Sequence, residues 1–261
     1  CKDCDAIIVG LEKLDQNFID SCPKLKVIGK YGVGLNNLDI DYIKKKKIKL
    51  LLQPGINKRA VSELVIAMMI NSYRNIISNV NDVKTGLWSS SAGELLSEKK
   101  VGIIGCGNIG KDVIKILKPF NCEILVCDID PNIKYFKSKK NKNIKLDRIF
   151  SKADIVTIHV PYTKQNHNFI SNKIFKKIKK ENFVLINTAR GNLVNENHLK
   201  SFLLRNPNSK AFFDVLSIEP PKNKNLLKLK NFFLTSHIGG SAKEIIELAG
   251  LDCAKKVNKN I

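Results

Sequence analysis

A glycine-rich turn between an apolar strand and an amphipathic helix constrains this chain more than any other feature. The strand Val101–Ile104 is followed by three glycines in the spacing GxGxxG, which are Gly105, Gly107 and Gly110. In that context the first glycine permits a tight turn, the second lets a ligand approach the backbone, and the third lets helix and strand pack closely. The first amides of the helix, at Asn108 and Ile109, are free to bind an anion. The motif therefore predicts a unit that binds the pyrophosphate of a dinucleotide.

An acidic residue stands where such a unit needs one. Asp128 directly follows the next predicted strand and lies 18 residues after Gly110. A carboxylate there accepts hydrogen bonds from both hydroxyls of an adenosine ribose and repels a 2′-phosphate. Ile129 and Asp130 come next, without an arginine to hold that phosphate. NAD is therefore favoured over NADP.

Strands and helices alternate along the chain, which predicts parallel sheets with right-handed crossovers. A long helix is expected from Ala60 to Val80, and the strand–helix rhythm restarts at the glycine motif. We expect a Rossmann domain, a doubly wound parallel sheet that binds NAD, over residues 81–240. A second, smaller α/β domain is expected over residues 1–80 and 241–261, built from both chain ends.

Polar residues follow three predicted strands, where active sites form in α/β folds. Asn187–Gly191 follows one strand, Asp214 and then Glu219 follow another, and His237 follows a third. Hydride transfer at a hydroxylated carbon requires a group that gives and takes a proton near neutral pH, which suits histidine. A nearby carboxylate orients the imidazole and favours its protonated form, and a guanidinium binds a carboxylate through two hydrogen bonds. Arg190, Glu219 and His237 are therefore the candidate catalytic residues.

With these motifs the chain resembles the D-2-hydroxyacid dehydrogenase family, particularly its phosphoglycerate dehydrogenase-like branch. The resemblance covers nearly the whole chain and rests on Leu25–Gly29, Gly32–Gly34, Val61–Leu64, Val101–Gly110, His159–Pro161, Asn187–Gly191, Asp214–Pro220 and His237–Ser241. It implies an NAD-dependent enzyme that interconverts a small D-2-hydroxy acid and its 2-oxoacid. In that enzyme His237 would be the acid/base, Glu219 its partner and Arg190 the substrate anchor.

The resemblance also implies the binding residues. Asp214 would contact the nicotinamide carboxamide, and the backbone N–H groups of Val33 and Gly34 would bind the substrate carboxylate. The expected cofactor set is Gly105, Gly107, Asn108, Ile109, Gly110, Asp128, Val160, Pro161, Thr188, Ala189, Arg190, Asp214, His237, Gly239 and Gly240. No metal is expected.

Further implications concern the smaller domain and the assembly. The resemblance implies a flavodoxin-like substrate domain and a homodimer with the Ala60–Val80 helix and the polar stretch after it, Asn81–Lys99, near its interface. Family members carry another strand and helix before the position of Cys1, so the chain looks truncated at that end. Phosphoglycerate dehydrogenases often place an arginine near Gly10 for the substrate phosphate, and here Lys13 or Lys30 is the only candidate substitute nearby. Tyr31 stands where the family usually has a small residue, which could reshape the pocket.

Three alternatives to a phosphoglycerate dehydrogenase remain. The first is a glyoxylate, hydroxypyruvate or other 2-oxoacid reductase, which a substrate panel would separate. The second belongs to another class, an NAD(H)-sensing binding protein like the corepressors of the same fold. The third is an inactive truncated product whose substrate domain has an unpaired sheet edge.

Composition excludes several other classes. The net charge is +21, but 40 of the 45 basic residues are lysines, which favours a solvated surface over a nucleic-acid site. No apolar run is long enough for a membrane span, and no signal peptide is visible. The cysteines number seven, an odd count, and the only CxxC, Cys1–Cys4, lacks the second pair that a zinc site needs. We therefore expect reduced thiols, a cytoplasmic location, and neither nucleic-acid nor membrane partners.

Overall fold

The computed structural model describes residues 1–88, 90, 92–130 and 143–261. The chain divides into two compact units. The terminal unit comprises Cys1–Ala60 and Gly240–Ile261, and the central unit comprises Val61–Gly239. The smaller unit therefore contains both chain ends.

The central unit is built on a six-stranded parallel sheet. Its strands are β4 (Lys100–Ile104), β5 (Glu123–Cys127), β6 (Ile155–Ile158), β7 (Val184–Asn187), β8 (Lys210–Phe213) and β9 (Phe232–Leu234). They lie in the order β5-β4-β6-β7-β8-β9, so the chain reverses direction across the sheet after β5. Every residue of β6 and β7 is buried, as expected for a sheet covered on both faces.

The helices of this unit are α3 (Lys58–Arg74), α4 (Ile76–Lys84), α5 (Asn108–Leu117), α6 (Leu146–Lys152), α7 (Asn172–Phe175) and α8 (Glu196–Arg205). All of them except α4 cover the two faces of the sheet. One apolar cluster joins α6, α7 and α8 to the sheet, and another joins α3 and α5 to it. This doubly wound arrangement confirms the predicted Rossmann architecture.

Helix α3 explains where the two units divide. Its side chains Val65 and Met69 are fully buried in the cluster that contains Val101 and Ile103 of β4. The helix therefore belongs mostly to the central unit, and the division falls at 60/61 instead of the expected 80/81. The second division, at 239/240, lies one residue from the expected position.

The long helix expected over 60–80 is two helices. Asn75 separates α3 from α4 and has a positive φ of 54°. Asparagine tolerates this left-handed conformation better than most residues. The Asn71 side chain then accepts a hydrogen bond from the N–H of Ile77 at 2.9 Å, which satisfies one amide at the start of α4.

The terminal unit is a three-stranded parallel sheet with helices. Its elements are β1 (Ala6–Val9), α1 (Gln16–Asp20), β2 (Val27–Lys30), α2 (Ile40–Lys45), β3 (Lys49–Leu51) and α9 (Lys243–Asn258). The strand order is β1-β2-β3, and α9 packs on all three strands. Three strands in consecutive order contain no switch point, so the flavodoxin-like order of this domain stays a prediction.

A substitution at Gly29 would test the packing of α9 on β2. A Cβ atom at Gly29 would lie 2.5 Å from Cγ2 of Val257 and 2.8 Å from Sγ of Cys253. We expect Gly29→Ala to lower the free energy of unfolding by about 1–3 kcal/mol, because overpacking forces the helix away from the strand. Chemical denaturation measures this change. Gly10→Ala is the control, because its Cβ would meet only Oε2 of Glu12, at 3.5 Å. Equal stability of the two variants would contradict the described packing.

Candidate functional site

Two glycines of the motif are required by the packing of the chain itself. Gly105 has a φ of +94°, and a Cβ there would lie 2.6 Å from the carbonyl oxygen of His159. A Cβ at Gly110 would lie 2.0 Å from the carbonyl oxygen of Gly105. Any larger residue at either position would push β4, the turn and α5 apart.

Gly107 differs because the chain does not need it. Its φ is −79°, which any residue adopts, and no atom lies within 4 Å of the position that its Cβ would occupy. It is the N-cap of α5, and no side chain caps that helix start. The open space and the uncapped amides fit the pyrophosphate of a dinucleotide.

Asp128 lies against the same turn. Its Oδ2 accepts a hydrogen bond from the N–H of Cys106 at 2.6 Å, and its Oδ1 accepts one from Asp130 at 2.9 Å. Asn143 holds the backbone of Asp128 through both its N–H and its carbonyl group. The carboxylate is thus fixed beside the glycine turn, and its contact with an adenosine ribose stays a prediction.

The segments after β6 and β7 contain the other predicted cofactor residues of the sheet edge, which are Val160, Pro161, Thr188 and Ala189. The Val160 side chain lies beside the turn, 2.8 Å from the position of a Cβ on Gly105. The Thr188 hydroxyl is buried and has no hydrogen-bond partner among the described residues. Burying a hydroxyl without a partner is unfavourable, so this group fits a polar ligand at the edge of the sheet.

His159 precedes this segment and has a structural environment. Its Nε2 lies 3.0 Å from the Thr157 hydroxyl, and its Nδ1 is buried without a partner among the described residues. Burial lowers the pKa of His159 to about 3, so the ring is neutral at physiological pH. It is not suited to proton exchange with a substrate.

His237 and Glu219 form a close pair. Nδ1 of His237 lies 2.7 Å from Oε2 of Glu219, and the imidazole is about half exposed. The other carboxylate oxygen accepts a hydrogen bond from the N–H of Leu216 at 2.8 Å, which fixes the orientation of Glu219. With Nδ1 facing the carboxylate, Nε2 of His237 is the nitrogen that can face a substrate.

Asp214 holds the loop that carries His237. Its buried carboxylate accepts hydrogen bonds from the Thr235 hydroxyl, from Ile238 N–H at 2.8 Å and from Gly239 N–H at 2.7 Å. His237 lies between these donors with a φ of +57°. The carboxylate thus supports an otherwise unfavourable backbone conformation. Contact between Asp214 and a nicotinamide carboxamide stays a prediction.

Arg190 is held next to the segment that contains Glu219. The Asn187 side chain accepts from Ala189 N–H and donates to the Arg190 carbonyl, at 3.1 and 2.9 Å. A Cβ at Gly191 would lie 1.9 Å from the carbonyl carbon of Leu216, so the two loops touch through their backbones. Burial lowers the pKa of Arg190, and the Glu219 charge opposes that shift. Arginine nevertheless stays charged in proteins.

One positioning residue of these loops was not singled out by the sequence analysis. It is Glu196, whose carboxylate accepts a hydrogen bond from Ser217 N–H at 2.8 Å. Glu196 begins α8, and the sequence offers no signal that it reaches a loop more than 20 residues away.

A cavity of about 410 Å³ opens beside the histidine–glutamate pair. Its lining is largely apolar and consists of Asp214, Leu216, Glu219, Pro220, Pro221, Leu234, Thr235, Ser236 and His237. The arrangement combines a proton-transfer pair, a nearby guanidinium and a nucleotide turn at one edge of one sheet.

The remaining predicted residues belong to the terminal unit. Val33 and Gly34 lie in the loop after β2, and Gly240 follows the central unit. The Tyr31 hydroxyl donates to the carbonyl oxygen of Ile246 in α9 at 3.2 Å, so this side chain is engaged with the helix.

Among the residues that the structure describes, no helix is long and apolar enough to cross a membrane. Nor do histidine, cysteine, aspartate and glutamate form a group of three or more that could hold a metal ion in that part of the chain.

Known proteins are similar to this chain in sequence and in fold. Residues 66–239 match the model of the D-isomer specific 2-hydroxyacid dehydrogenase NAD binding domain. The hydroxypyruvate reductase of Thermotoga maritima is 31% identical over 98% of this chain and 85% of its own length. The D-3-phosphoglycerate dehydrogenase of Methanocaldococcus jannaschii is 33% identical over 99% of this chain, which spans 50% of that protein. The structure of D-lactate dehydrogenase from Aquifex aeolicus, complexed with NAD and lactic acid, has a TM-score of 0.87 at 27% identity, covering 98% and 83% of the two chains.

Substitutions at two glycines of the motif separate NADH binding from the stability of the fold. We expect Gly107→Ala to lower the free energy of unfolding by no more than about 1 kcal/mol, because alanine is a poorer N-cap than glycine. It should weaken NADH binding by on the order of tenfold, because the methyl group would occupy the space of the pyrophosphate. Gly110→Ala should instead lower the melting temperature, because its Cβ would collide with Gly105. Calorimetric titration with NADH and thermal unfolding separate the two effects. Wild-type NADH affinity in Gly107→Ala would contradict this assignment of the open space.

Proposed function

Since the chain belongs to the D-isomer specific 2-hydroxyacid dehydrogenase family, we propose that it transfers a hydride between NAD(H) and a small 2-hydroxy acid or 2-oxoacid. Membership confirms the resemblance drawn from the sequence motifs, and the matched NAD binding domain confirms the expected class of cofactor. The observation that carries the proposal is the 2.7 Å pair of His237 and Glu219 beside the Arg190 loop, in the same unit as the glycine turn.

The chain's own residues supply the proton and the substrate anchor. NADH, when bound, supplies the hydride for reduction of the carbonyl carbon. His237 donates a proton from Nε2 to the carbonyl oxygen, and Glu219 stabilises the imidazolium through Nδ1. Arg190 binds the substrate carboxylate and polarises the carbonyl group. In the reverse direction His237 accepts the proton of the hydroxyl group.

The loop after β2, in the terminal unit, contains two more of the predicted substrate residues. Val33 and Gly34 lie at the carboxyl end of a parallel strand, where α/β proteins bind ligands. Gly32, just before them, has a φ of +85°. We propose that the N–H groups of Val33 and Gly34 bind the substrate carboxylate.

Within this reaction we favour an unphosphorylated 2-oxoacid, such as glyoxylate or hydroxypyruvate. The two lysines considered as phosphate ligands are engaged in other contacts. Lys13 forms an ion pair with Asp15 at 3.2 Å, and buried Lys30 donates to the carbonyl groups of Gly10 and Tyr31. Phosphoglycerate, the other candidate substrate, would need a cation for its phosphate group.

Oxidation of NADH with a panel of 2-oxoacids tests the function. We expect turnover of glyoxylate and hydroxypyruvate, and a lower kcat/KM for phosphohydroxypyruvate. In His237→Asn, kcat should fall by roughly 10²–10⁴-fold, because general acid catalysis is lost. NADH affinity should stay within about twofold, because the cofactor is held mainly at the glycine turn and Asp128.

Other results of these assays would support a different function or contradict the proposed proton transfer. A higher kcat/KM for phosphohydroxypyruvate would support the assignment of the protein as a phosphoglycerate dehydrogenase. NADH binding without turnover of any 2-oxoacid would support the assignment of the protein as an NAD(H)-sensing binding protein. Unchanged turnover in His237→Asn would contradict the proposed proton transfer.

We further propose that the protein is a homodimer, because α4 presents an uncovered apolar face. None of its residues is buried. The exposed apolar side chains on α4 and in the segment that follows are Ile76, Ile77, Val80, Val83, Leu87, Trp88 and Leu95. Contiguous apolar surface of this kind is typical of protein–protein interfaces, and the family resemblance implies a second copy of the chain as the partner.

A charge in this face should prevent dimerisation. We expect Val80→Asp to sediment as a monomer at concentrations where the wild type is a dimer, because burial of an unpaired carboxylate is unfavourable. Ser78→Asp, on the opposite side of the same helix, is the control. The single tryptophan, Trp88, is 90% exposed in the chain, so its emission should shift to the blue in the dimer only. A dimeric Val80→Asp variant would overturn this choice of interface.

A cytoplasmic location is also part of the proposal. All seven cysteines are free thiols. Three of them, Cys22, Cys106 and Cys253, are buried in the fold. This supports a reducing compartment.

A further inference from the structure

Lys30 is a buried lysine at the end of β2. Its side chain is only 2% exposed. Nζ donates hydrogen bonds to the carbonyl oxygen of Gly10, just after β1, and to that of Tyr31 at 3.0 Å, just after β2. The ammonium group therefore joins two loops at the carboxyl edge of the terminal sheet.

The charge of Lys30 is not neutralised by a carboxylate. No Asp or Glu oxygen of the described residues lies within 4.0 Å of Nζ. Burial lowers the pKa of Lys30, while Glu12 in the neighbouring loop and Cys253 in α9 act in the opposite direction. A methionine would fill the same space without desolvating a charge, so packing alone does not account for a lysine here.

The loop after β1 is held by several other donors. The Asn37 side chain donates to the carbonyl groups of Gly10 and Glu12, at 3.2 and 2.6 Å. The Glu12 side chain accepts from Gly10 N–H at 2.8 Å. This loop has its own supports, and Lys30 adds a link from it to the loop that contains Val33 and Gly34.

We propose that Lys30 is a positioning residue for substrate, which holds the loop after β2 so that the N–H groups of Val33 and Gly34 bind the carboxylate of a 2-oxoacid. Neutral carbonyl groups hold the positive charge of Lys30 at the start of that loop. The charge therefore also favours the binding of an anion by the loop. The inference rests on the proposed function, because it concerns the substrate of that reaction.

Two substitutions separate the charge from the packing of Lys30. Lys30→Met should raise KM for glyoxylate by on the order of tenfold, because a charged donor to the loop is lost. The maximal rate kcat and the NADH affinity should stay within about twofold, because NAD binds at the glycine turn of the other unit. Lys30→Arg keeps the charge and the donors, and should keep KM within about threefold of the wild type.

Lys13→Met is the matched control for charge. Lys13 lies in the loop after β1, is largely exposed and pairs with Asp15. If the net charge of the terminal unit were responsible, this variant would raise KM as much as Lys30→Met does. We expect KM to change less than about twofold, because exposed charges are screened by solvent.

Oxalate, an unreactive dicarboxylate, provides a readout without turnover. Calorimetric titration of oxalate into the NADH-bound full chain should show weaker binding to Lys30→Met than to wild type or Lys13→Met. If the wild type binds oxalate but reduces no 2-oxoacid, the proposed function fails while the role of Lys30 is still tested. A lower melting temperature of Lys30→Met with unchanged KM and oxalate affinity would overturn the inference. If Lys30→Met does not fold, Lys30→Gln takes its place, and wild-type KM and oxalate affinity in that variant would equally overturn it.

Discussion

The carboxylate of Asp214 is the interaction on which the catalytic end of the central unit depends. It accepts hydrogen bonds from one hydroxyl and two backbone N–H groups of the loop after β9, and it is almost completely buried. A buried carboxylate is tolerated only when such donors satisfy it, and in turn it holds them in place. His237 lies inside this loop with a positive φ, so the direction of its imidazole is set by a residue that directly follows the neighbouring strand β8.

The glycine motif shows how stability and ligand binding are divided among similar residues. Gly105 and Gly110 are explained by steric contacts within the chain, whereas at Gly107 neither φ nor any neighbour requires a glycine. The order of the three glycines in the motif predicts this division. The coordinates give its steric cause, because they show which two positions have no room for a side chain and which one leaves space for a ligand.

The sequence could predict features that follow from local pattern and topology, but not those that depend on tertiary contacts. The buried strands of the central sheet are short apolar runs, and the residues that follow them reach one edge by topology, so Arg190, Glu219 and His237 were predictable as a group. The break at Asn75 was not, because the apolar pattern continues across it and a polar residue gives only a weak signal. Helices α6 and α7 are short and depend on the apolar cluster beneath them, so the periodicity of the sequence gives little signal for either. The packing of α3 on the sheet, and hence the boundary between units, is a tertiary contact that periodicity cannot assign.

Arg190 in the central unit and Lys30 in the terminal unit are held by the same kind of interaction, a cation that donates to backbone carbonyl groups. Each is removed at least partly from water, and each donates to backbone carbonyl groups: Arg190 to Ala189, and Lys30 to Gly10 and Tyr31. A carbonyl dipole satisfies a donor without cancelling its charge, whereas a carboxylate partner would do both. The cation thus keeps its attraction for an external anion while its geometry is fixed before binding. The exposed lysines paired with aspartates, such as Lys13, Lys24 and Lys26, lack this combination, because their charges are both compensated and screened by solvent. The large positive charge of the chain therefore says little about its ligand, whereas each of these two cations, held by neutral groups within its own unit, keeps its attraction for an anion.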